Sequence, residues 1–221
     1  MSSTSTPARG RPARLDPVRT VETALDLLDQ SGLEALTMRR LADAMGVQAG
    51  ALYRYFATKQ DLLTAMAERM LASLAESDGE ATDGDWSEQL ATLAHAMRAA
   101  LLAHRDGARV FAGTHSTGAN TLRFADRLVG VLRDAGFTDE QAARALFAVV
   151  NFTVGHTLEE QAALQPESGA PAATEVLHAA VTAGSYPHLS ATLPTLTSTD
   201  FTPHFEFGLG LVTEGLRVRR G

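Results

Sequence analysis

The stretch Thr37–Leu63, TMRRLADAMGVQAGALYRYFATKQDLL, contains the pattern that decides the fold. Thr37 is suited to cap a short helix, and Gly46 is suited to end it. Between them, apolar residues follow the i, i+3, i+4, i+7 spacing of one helical face: Met38, Leu41, Ala42 and Met45. A second short helix is predicted from Gln48 to Tyr55. Two short helices joined by a glycine-centred turn form a helix-turn-helix, whose second helix fits a DNA major groove roughly 12 Å wide.

A further helix is predicted just before this unit. Asp16 is placed to cap it, Pro17 occupies the first turn, where a missing N–H is harmless, and Gly32 ends it. Its apolar residues again form one stripe: Val18, Val21, Ala24, Leu25 and Leu28. We therefore predict a three-helix head over residues 15–60.

The remainder of the chain is also predicted to be helical, because apolar residues recur at helical spacing and strand-like alternation is weak. Helices are expected at 59–77, 86–104, 107–115, 119–135, 139–164 and 201–218. The stretch Ala145–Val154 is apolar almost all round, as in helices sandwiched between two surfaces. Residues 165–199 contain four prolines and are predicted to form an irregular connection, with room for one short helix at 174–183. The predicted fold class is all-α.

Composition excludes several classes of protein. The 221 residues are 45% apolar and 20% charged, ordinary values for a chain that can bury a sizeable core. The absence of cysteine excludes disulfides, thiol catalysis and thiolate metal sites, and it fits a reducing cytoplasm. No apolar run approaches the ~20 residues that span a bilayer, so we expect neither membrane insertion nor a secretory signal.

Charge is divided unevenly along the chain. The net charge is −7, but residues 1–59 carry eight basic and six acidic side chains, a net charge of +2, and the acidic excess lies in residues 60–221. A basic amino-terminal segment on an acidic body is typical of a small polyanion-binding module joined to a larger domain. Solubility alone is an alternative reason for an acidic body.

These residues resemble the tetracycline-repressor (TetR) family of transcription regulators. In Thr37–Leu63 the resemblance rests on Leu41-Ala42, Gly46-Val47, Leu52-Tyr53, Tyr55-Phe56 and Lys59. It extends to LLAHRDGARVFAGT (101–114), AGF (135–137) and NFTVGHTLEEQ (151–161), which are similar to the ligand-binding domain of tetracycline-binding members. The resemblance covers nearly the whole chain and is weakest at 165–199.

The resemblance implies a homodimeric repressor that binds a palindromic DNA operator and is released by a small hydrophobic effector. Residues 15–60 are then the DNA-binding domain and 61–221 the ligand-binding and dimerisation domain, with the dimer formed by helices near 139–164 and 201–218. Elementary geometry favours a dimer as well, because two heads about 34–36 Å apart read both halves of a palindrome. No cofactor is expected.

The predicted DNA contacts lie around the helix-turn-helix. Arg39 is placed to reach a phosphate or a guanine edge, and Thr37 and Met38 stand at a helix N-terminus, whose free N–H groups suit a phosphate oxygen. The positions where the family places base contacts lack polar side-chain atoms: Ala49, Gly50 and Ala51. Such residues offer close approach and methyl contact with thymine. The remaining predicted contacts are Gln48, Tyr53, Arg54, Tyr55 and Lys59. For Tyr55, a place in the core is the alternative to a DNA contact. For Phe56, a place in the core is the prediction.

A basic arm precedes the head at residues 1–14, predicted to be disordered. Arg9-Gly10-Arg11-Pro12 resembles the core of an AT-hook, an extended arginine clamp for a narrow A·T-rich minor groove. A basic tail that attracts phosphates without sequence preference remains an equal alternative. In both cases Arg9 and Arg11 are predicted to contact DNA.

A candidate effector cavity is predicted from the resemblance. Its apolar lining is Leu93, Met97, Phe111, Phe124 and Phe147, and its polar anchors are His115, Arg127, Asn151 and Glu159. Five positions that bind tetracycline in the family carry other residues here: Leu93, Met97, Phe111, His115 and Arg127. Tetracycline is therefore not the expected ligand, and plain core packing is an open alternative for each aromatic residue.

Catalytic and metal sites are not predicted. His156 with Glu159 and Glu160 places an imidazole and carboxylates about one turn apart, which is half of a di-metal site, but the sequence holds no second copy. It also holds no phosphate-binding glycine loop and no GxSxG elbow. Two other functions stay open: an activator that binds DNA without an effector, and a helical small-molecule-binding module that does not bind DNA.

Overall fold

The computed structural model describes residues 15–76, 84–164 and 173–220. Within these ranges all regular elements are helices, which confirms the all-α prediction. In chain order they are α1 (Pro17–Ala35), α2 (Met38–Met45), α3 (Ala49–Leu52), α4 (Lys59–Met70), α5 (Ala72–Glu76), α6 (Trp86–Leu102), α7 (Gly107–Ala112), α8 (Ala119–Asp134), α9 (Asp139–Leu164), α10 (Ala173–Ala183), α11 (Pro187–Leu196) and α12 (Thr202–Arg220).

The head is built from α1, α2 and α3, as predicted. Asp16 caps α1 by accepting a hydrogen bond from the Val18 N–H at 3.0 Å. Gly32, with φ at +77°, interrupts α1 one turn before its end. Burial of the three helices converges on a common core, to which each helix contributes a fully buried leucine: Leu28, Leu41 and Leu52.

Local signals at the helix-turn-helix act as the sequence predicts. Thr37 accepts from the Arg40 N–H at 3.1 Å and begins α2, and Gly46 ends it in the left-handed conformation with φ at +66°. Helix α3 is shorter than the predicted Gln48–Tyr55, because the chain turns after Leu52. In that turn the Tyr55 and Phe56 N–H groups both donate to the Leu52 carbonyl.

Helix α4 connects the head to the body. Thr58 and Asp61 form a reciprocal capping box at its start, with bonds of 2.9 and 3.1 Å. The single helix predicted over 59–77 is wrong in one respect, because the chain departs from helical geometry at the buried residue Leu71. Helix α4 therefore ends at Met70, and α5 follows as a separate short helix.

The body is organised around the long helix α9, which packs against α6, α7, α8 and α12. The bounds of α6, α8 and α9 agree with the predicted ranges within two residues, whereas α7 ends three residues early. The buried face of α9 consists mainly of small residues, such as Ala142 and Ala145. Their small size lets the neighbouring helices pack closely.

The short helix for which 174–183 left room is present as α10, whereas the irregular connection predicted for the rest of 165–199 is wrong at 187–196, which form α11. Prolines misled the prediction. Pro187 is the first residue of α11, where no N–H is needed, and Pro194 lies in its last turn. Within 15–76, 84–164 and 173–220, no helix has the length and apolar character needed to cross a bilayer.

Candidate functional site

The surface of the head that precedes α4 is exposed along the helix-turn-helix. Gln48, Gly50, Tyr53, Arg54 and Tyr55 are all exposed, and Ala49 and Ala51 are half-buried. Leu52, in the same short helix, is fully buried and holds α3 against the head core. The stretch after Gly46 therefore projects away from the protein interior, as a groove-binding element must.

Two residues next to this surface are buried. Phe56 is a core aromatic, which agrees with its prediction. Met38 is also buried, so its predicted DNA contact stays a prediction for its main-chain N–H at the start of α2 and does not involve the side chain. Met38 lies on the apolar face of α2 with Leu41 and Ala42, and its side chain belongs to the hydrophobic core.

The basic side chains around the head have different environments. Arg39 is exposed, whereas Arg40 donates to the Ser31 hydroxyl at 2.6 Å. Lys59 is half-buried and its Nζ donates to the Leu33 carbonyl at 3.4 Å, near the end of α1. Lys59 thus bonds to the head itself through its ammonium group, and only part of its side chain is exposed next to the helix-turn-helix. The predicted contacts Arg9 and Arg11 lie outside the described residues.

Gly50 has no structural need to be a glycine. A Cβ placed on it would meet no atom within 4 Å, and its φ is not in the left-handed region. Its missing side chain leaves the outer surface of α3 open at this position. Together with the half-buried Ala49 and Ala51, this makes a shallow surface without polar side-chain atoms.

A hydrogen-bonded junction joins the head to the body, and sequence reasoning did not find it. Asp106 adopts φ of +56°, and its Oδ2 accepts from the Leu33 N–H at 2.8 Å, next to Gly32. Asp29 accepts from the Arg105 N–H at 2.8 Å and contacts His104 Nδ1 at 3.0 Å. The available signal was the HRDG run at 104–107, whose polar residues stand between two apolar helices.

A buried glutamine supports this junction from inside the body. Gln161 of α9 accepts from the Ala108 N–H at 3.0 Å and donates to the carbonyls of Leu101 and His104 at 3.1 and 2.8 Å. It therefore satisfies backbone groups at the end of α6 and the start of α7 together. The segment between α6 and α7 is therefore held by hydrogen bonds from both α9 and the head.

The structure does not gather the predicted effector residues into one cavity. Leu93, Met97 and Phe124 are buried in the core, and Phe111 is half-buried. Arg127 is half-buried on α8, and His115 is exposed. The other three predicted residues face outward on α9: Phe147, Asn151 and Glu159. Their spacing of four and eight residues puts them opposite the buried face of that helix, and so outside the protomer core.

A buried ion pair replaces the half metal site that the sequence contains. Arg98 of α6 donates to both carboxylate oxygens of Glu160, at 2.8 and 2.6 Å, and both side chains are largely buried. His156 Nδ1 lies 3.9 Å from Glu160 Oε2 and has no hydrogen-bond partner. Glu159 faces outward, so it does not join the cluster.

Aromatic rings surround His156. It lies 5.2 Å from the Phe205 ring and 5.9 Å from the Phe152 ring, measured between centroids. Burial lowers the pKa of His156 below its ordinary value; Arg98 and His204 act in the same direction, and Glu160 opposes them. Because its pKa is lowered, the imidazole favours the neutral form inside the protein.

A solvent-exposed apolar face runs along α9 and α12. These helices pack against each other, and Gly208 admits the ring of Phe152, which a Cβ at that position would overlap. Their outer sides carry large exposed apolar side chains: Phe147, Phe207, Leu211 and Val218. Such a face on a protein marks a surface that binds a partner.

Comparison with known proteins matches both parts of the chain. Residues 21–66 match "Bacterial regulatory proteins, tetR family", and residues 78–220 match "Tetracyclin repressor-like, C-terminal domain". The class A tetracycline repressor protein from transposon 1721 of Escherichia coli is 40% identical over 207 residues, covering 94% of this chain and 93% of that protein.

Solved structures agree with the sequence matches. The crystal structure of a possible TetR family transcriptional regulator from Streptomyces coelicolor A3(2) is 72% identical, with a TM-score of 0.86, covering 92% of this chain and 99% of that one. The Streptomyces coelicolor TetR family protein ActR in complex with actinorhodin is 32% identical, with a TM-score of 0.80, covering 95% and 100%. The outward-facing helix-turn-helix and the helical body both have counterparts in these proteins. The chain therefore belongs to the tetR family of bacterial regulatory proteins.

Proposed function

We propose that the protein is a homodimeric transcriptional repressor that binds a palindromic operator and releases it when a small hydrophobic effector binds the body. The observation that carries this proposal is the outward projection of α3 from a head whose core is closed by Leu52. Membership of the tetR family supports it. The relatives named above are regulators, and we assign this chain no catalytic role. Operator binding places its site of action in the cytoplasm.

The DNA contacts in this proposal are the exposed residues of the helix-turn-helix. Tyr53, Tyr55 and Thr37 are positioned for phosphates, Arg39 for a phosphate or a guanine, and Arg54 and Gln48 for the groove wall. The surface around Gly50 suits close approach and thymine methyl groups, so few direct hydrogen bonds read the sequence. Lys59 joins the set if its bond to the Leu33 carbonyl is shared with a phosphate.

The dimer in this proposal uses α9 and α12. Their exposed aromatic and aliphatic side chains form one face, and burial of this face against a second copy would remove it from water. Phe147, Asn151 and Glu159 lie on the same outer side of α9, so they would face the partner rather than their own core. The predicted effector contacts of these residues then belong to a site completed by the second copy.

The effector class in this proposal is a small hydrophobic molecule. Leu93, Met97 and Phe124 give the body an apolar interior, and Arg127 and His115 supply polar groups at its edge. One structural relative was solved with actinorhodin bound, which makes polycyclic compounds the first ones to test. An effector that binds better to a conformation with displaced heads shifts the population away from DNA, by at most its differential affinity.

The test is footprinting of the purified protein on the intergenic DNA beside its gene, followed by titration with polycyclic compounds. We expect protection of an inverted repeat with half-sites one helical turn apart, about 34–36 Å, or a multiple of it. Tyr53→Ala is expected to weaken binding by roughly 1–3 kcal/mol without loss of the dimer. Asp43→Ala, an exposed change on α2, serves as the matched control.

Two outcomes would replace this proposal. Absence of any selective footprint would favour a small-molecule-binding module without DNA binding. A footprint that no compound relieves, with transcription raised by the protein, would favour an effector-independent activator. Truncation of residues 1–14 tests whether the arm binds DNA, because removal of a DNA-binding arm lowers affinity and flattens its salt dependence.

A further inference from the structure

Helix α4 carries a half-buried carboxylate, Glu68, that the proposed DNA and effector contacts do not use. Its Oε1 accepts from the Ser116 hydroxyl at 2.6 Å, from the Thr121 N–H at 3.2 Å and from the Thr121 hydroxyl. Its Oε2 accepts from the Asn120 N–H at 3.0 Å. The Asn120 side chain in turn donates to the Glu68 main-chain carbonyl at 2.9 Å.

These bonds make Glu68 the cap of a helix to which it does not belong. Helix α8 begins after Gly118, whose lack of a side chain leaves the first-turn N–H groups without a local cap. Glu68 supplies a negative charge and two acceptors at that end, where the helix dipole favours them. A Cβ on Gly118 would overlap the Glu68 carboxyl carbon, so the glycine also makes room for it.

The charge state of Glu68 suits this role. Burial raises its pKa, but the hydrogen bonds from Ser116, Thr121 and Asn120 outweigh burial and hold the pKa below its ordinary value. The carboxylate is therefore ionised near neutral pH and accepts from all of its donors.

A second contact holds the same helix near its start. The Gln60 side chain donates to the Gly113 carbonyl at 2.7 Å. Gln60 and Glu68 are eight residues apart, about 12 Å along the helix. These two contacts restrain the tilt of α4 on the segment from α7 to α8, and they act beside the junction in which Asp106 and Asp29 bond the head to the body.

The tilt of α4 determines where the head lies, because α4 begins at Lys59, a few residues after α3 ends at Leu52. If the Glu68 contact is lost while the Gln60 contact remains, α4 can tilt around Gln60, and the head, which packs on α4, turns with it. A tilt of about 10° moves a point about 12 Å from that pivot by about 2 Å. With two heads in a dimer, displacements of this size change the half-site separation that the operator requires.

We infer that Glu68 is a positioning residue that fixes α4 on the amino-terminal end of α8 and thereby sets the position of the DNA-binding head. This inference rests on the proposed function for its consequence at the operator. Its structural content, the fixed position of α4 on the body, can be tested without DNA.

The test uses the 221-residue chain, which contains no cysteine, with spin labels on Ala44→Cys in the head and Asp126→Cys on α8, both exposed positions. Labelled protein is diluted with unlabelled chain, so that distances within one chain are measured. We expect one narrow head-to-body distance without the mutation. Glu68→Ala should broaden the distribution or shift its mean by about 2 Å, the displacement given by a tilt of about 10°. Arg123→Ala, an exposed charged residue on α8, is the matched control.

Gly118→Ala provides an independent way to break the same contact and keeps the test decisive if Glu68→Ala fails to fold. It should displace the Glu68 carboxylate and give the same broadening. The double variant Glu68→Ala/Gly118→Ala should be no worse than either single variant, because the new methyl group then occupies the vacated space. Operator affinity should fall about five- to tenfold for each single variant.

Unchanged head-to-body distances in folded Glu68→Ala or Gly118→Ala would overturn the inference, even if the unfolding temperature falls, because a merely structural cap lowers stability without moving the head. Additive effects in the double variant would also overturn it. Failure of the unmutated protein to bind an operator would instead count against the proposed function, and the distance measurement would still decide the role of Glu68.

Discussion

Replacement of Phe207 by alanine should weaken the dimer that we propose for α9 and α12. The Phe207 residue is 71% exposed in the protomer. A phenylalanine side chain buries about 200 Å² when fully covered, so roughly 140 Å² per copy is available to a partner. At about 25 cal/mol/Å², full cover would contribute about 3.5 kcal/mol per copy, and about 7 kcal/mol for the two copies related by a two-fold axis.

The value of about 7 kcal/mol is an upper limit, because a partner covers only part of each ring and alanine keeps some contact. Half of it, about 3–4 kcal/mol, raises the dimer dissociation constant by about 10² to 10³. Sedimentation equilibrium from nanomolar to micromolar concentration measures that constant. Leu122→Ala is the matched control, because Leu122 is 55% exposed on α8, away from the proposed face.

A dimer dissociation constant for Phe207→Ala within threefold of the unmutated value would refute the assignment of this face. So would an equal effect of Leu122→Ala, since it would indicate general loss of solubility or fold rather than a specific contact. Circular dichroism at the same concentrations shows whether the variant remains helical.

Three further predictions concern the fold that positions the site. Gly32→Ala should lower the free energy of unfolding in urea by about 1–2 kcal/mol, because the backbone φ of Gly32 is positive. Gly130→Ala should raise it slightly, because Gly130 lies in a helix with open space around it. Glu160→Gln should cost about 3–5 kcal/mol because it leaves the Arg98 cation buried without its partner; a cost below about 1 kcal/mol would contradict this. Glu68→Gln should be less stable than the unmutated protein near neutral pH. Because the folded pKa of Glu68 is lowered, its contribution is present above the ordinary pKa and is lost as pH falls through the lowered value, so the two unfolding curves should converge in acid.

Much of the head follows from local signals in the sequence. Asp16 and Thr37 cap their helices, and Gly46 ends α2 in the left-handed conformation, because these effects depend on neighbours within a few residues. The exposed face of α3 follows from helical spacing around the buried Leu52. The inward direction of the Met38 side chain follows from the same spacing, since it shares one face of α2 with Leu41 and Ala42.

The effector site was less predictable, because a pocket depends on how separate helices meet. The sequence identified Leu93, Met97 and Phe124 as apolar, and burial agrees. It could not tell that Asn151 and Glu159 face outward, since periodicity gives the spacing of a face and not the neighbour that the face meets. Proline misled the reading of 187–196, because the same residue breaks a helix in its interior and begins one at its first turn.

The sequence by itself determined the all-α class, the three-helix head and the membership of the tetR family, because helical periodicity, caps and short motifs are local properties. Only the tertiary structure decided how the head is attached to the body. Asp106 meets the Leu33 N–H across 73 residues, and Glu68 meets the first turn of α8 across more than 50. Such contacts depend on how whole helices pack, and the short-range spacing of residues along the chain does not determine that packing.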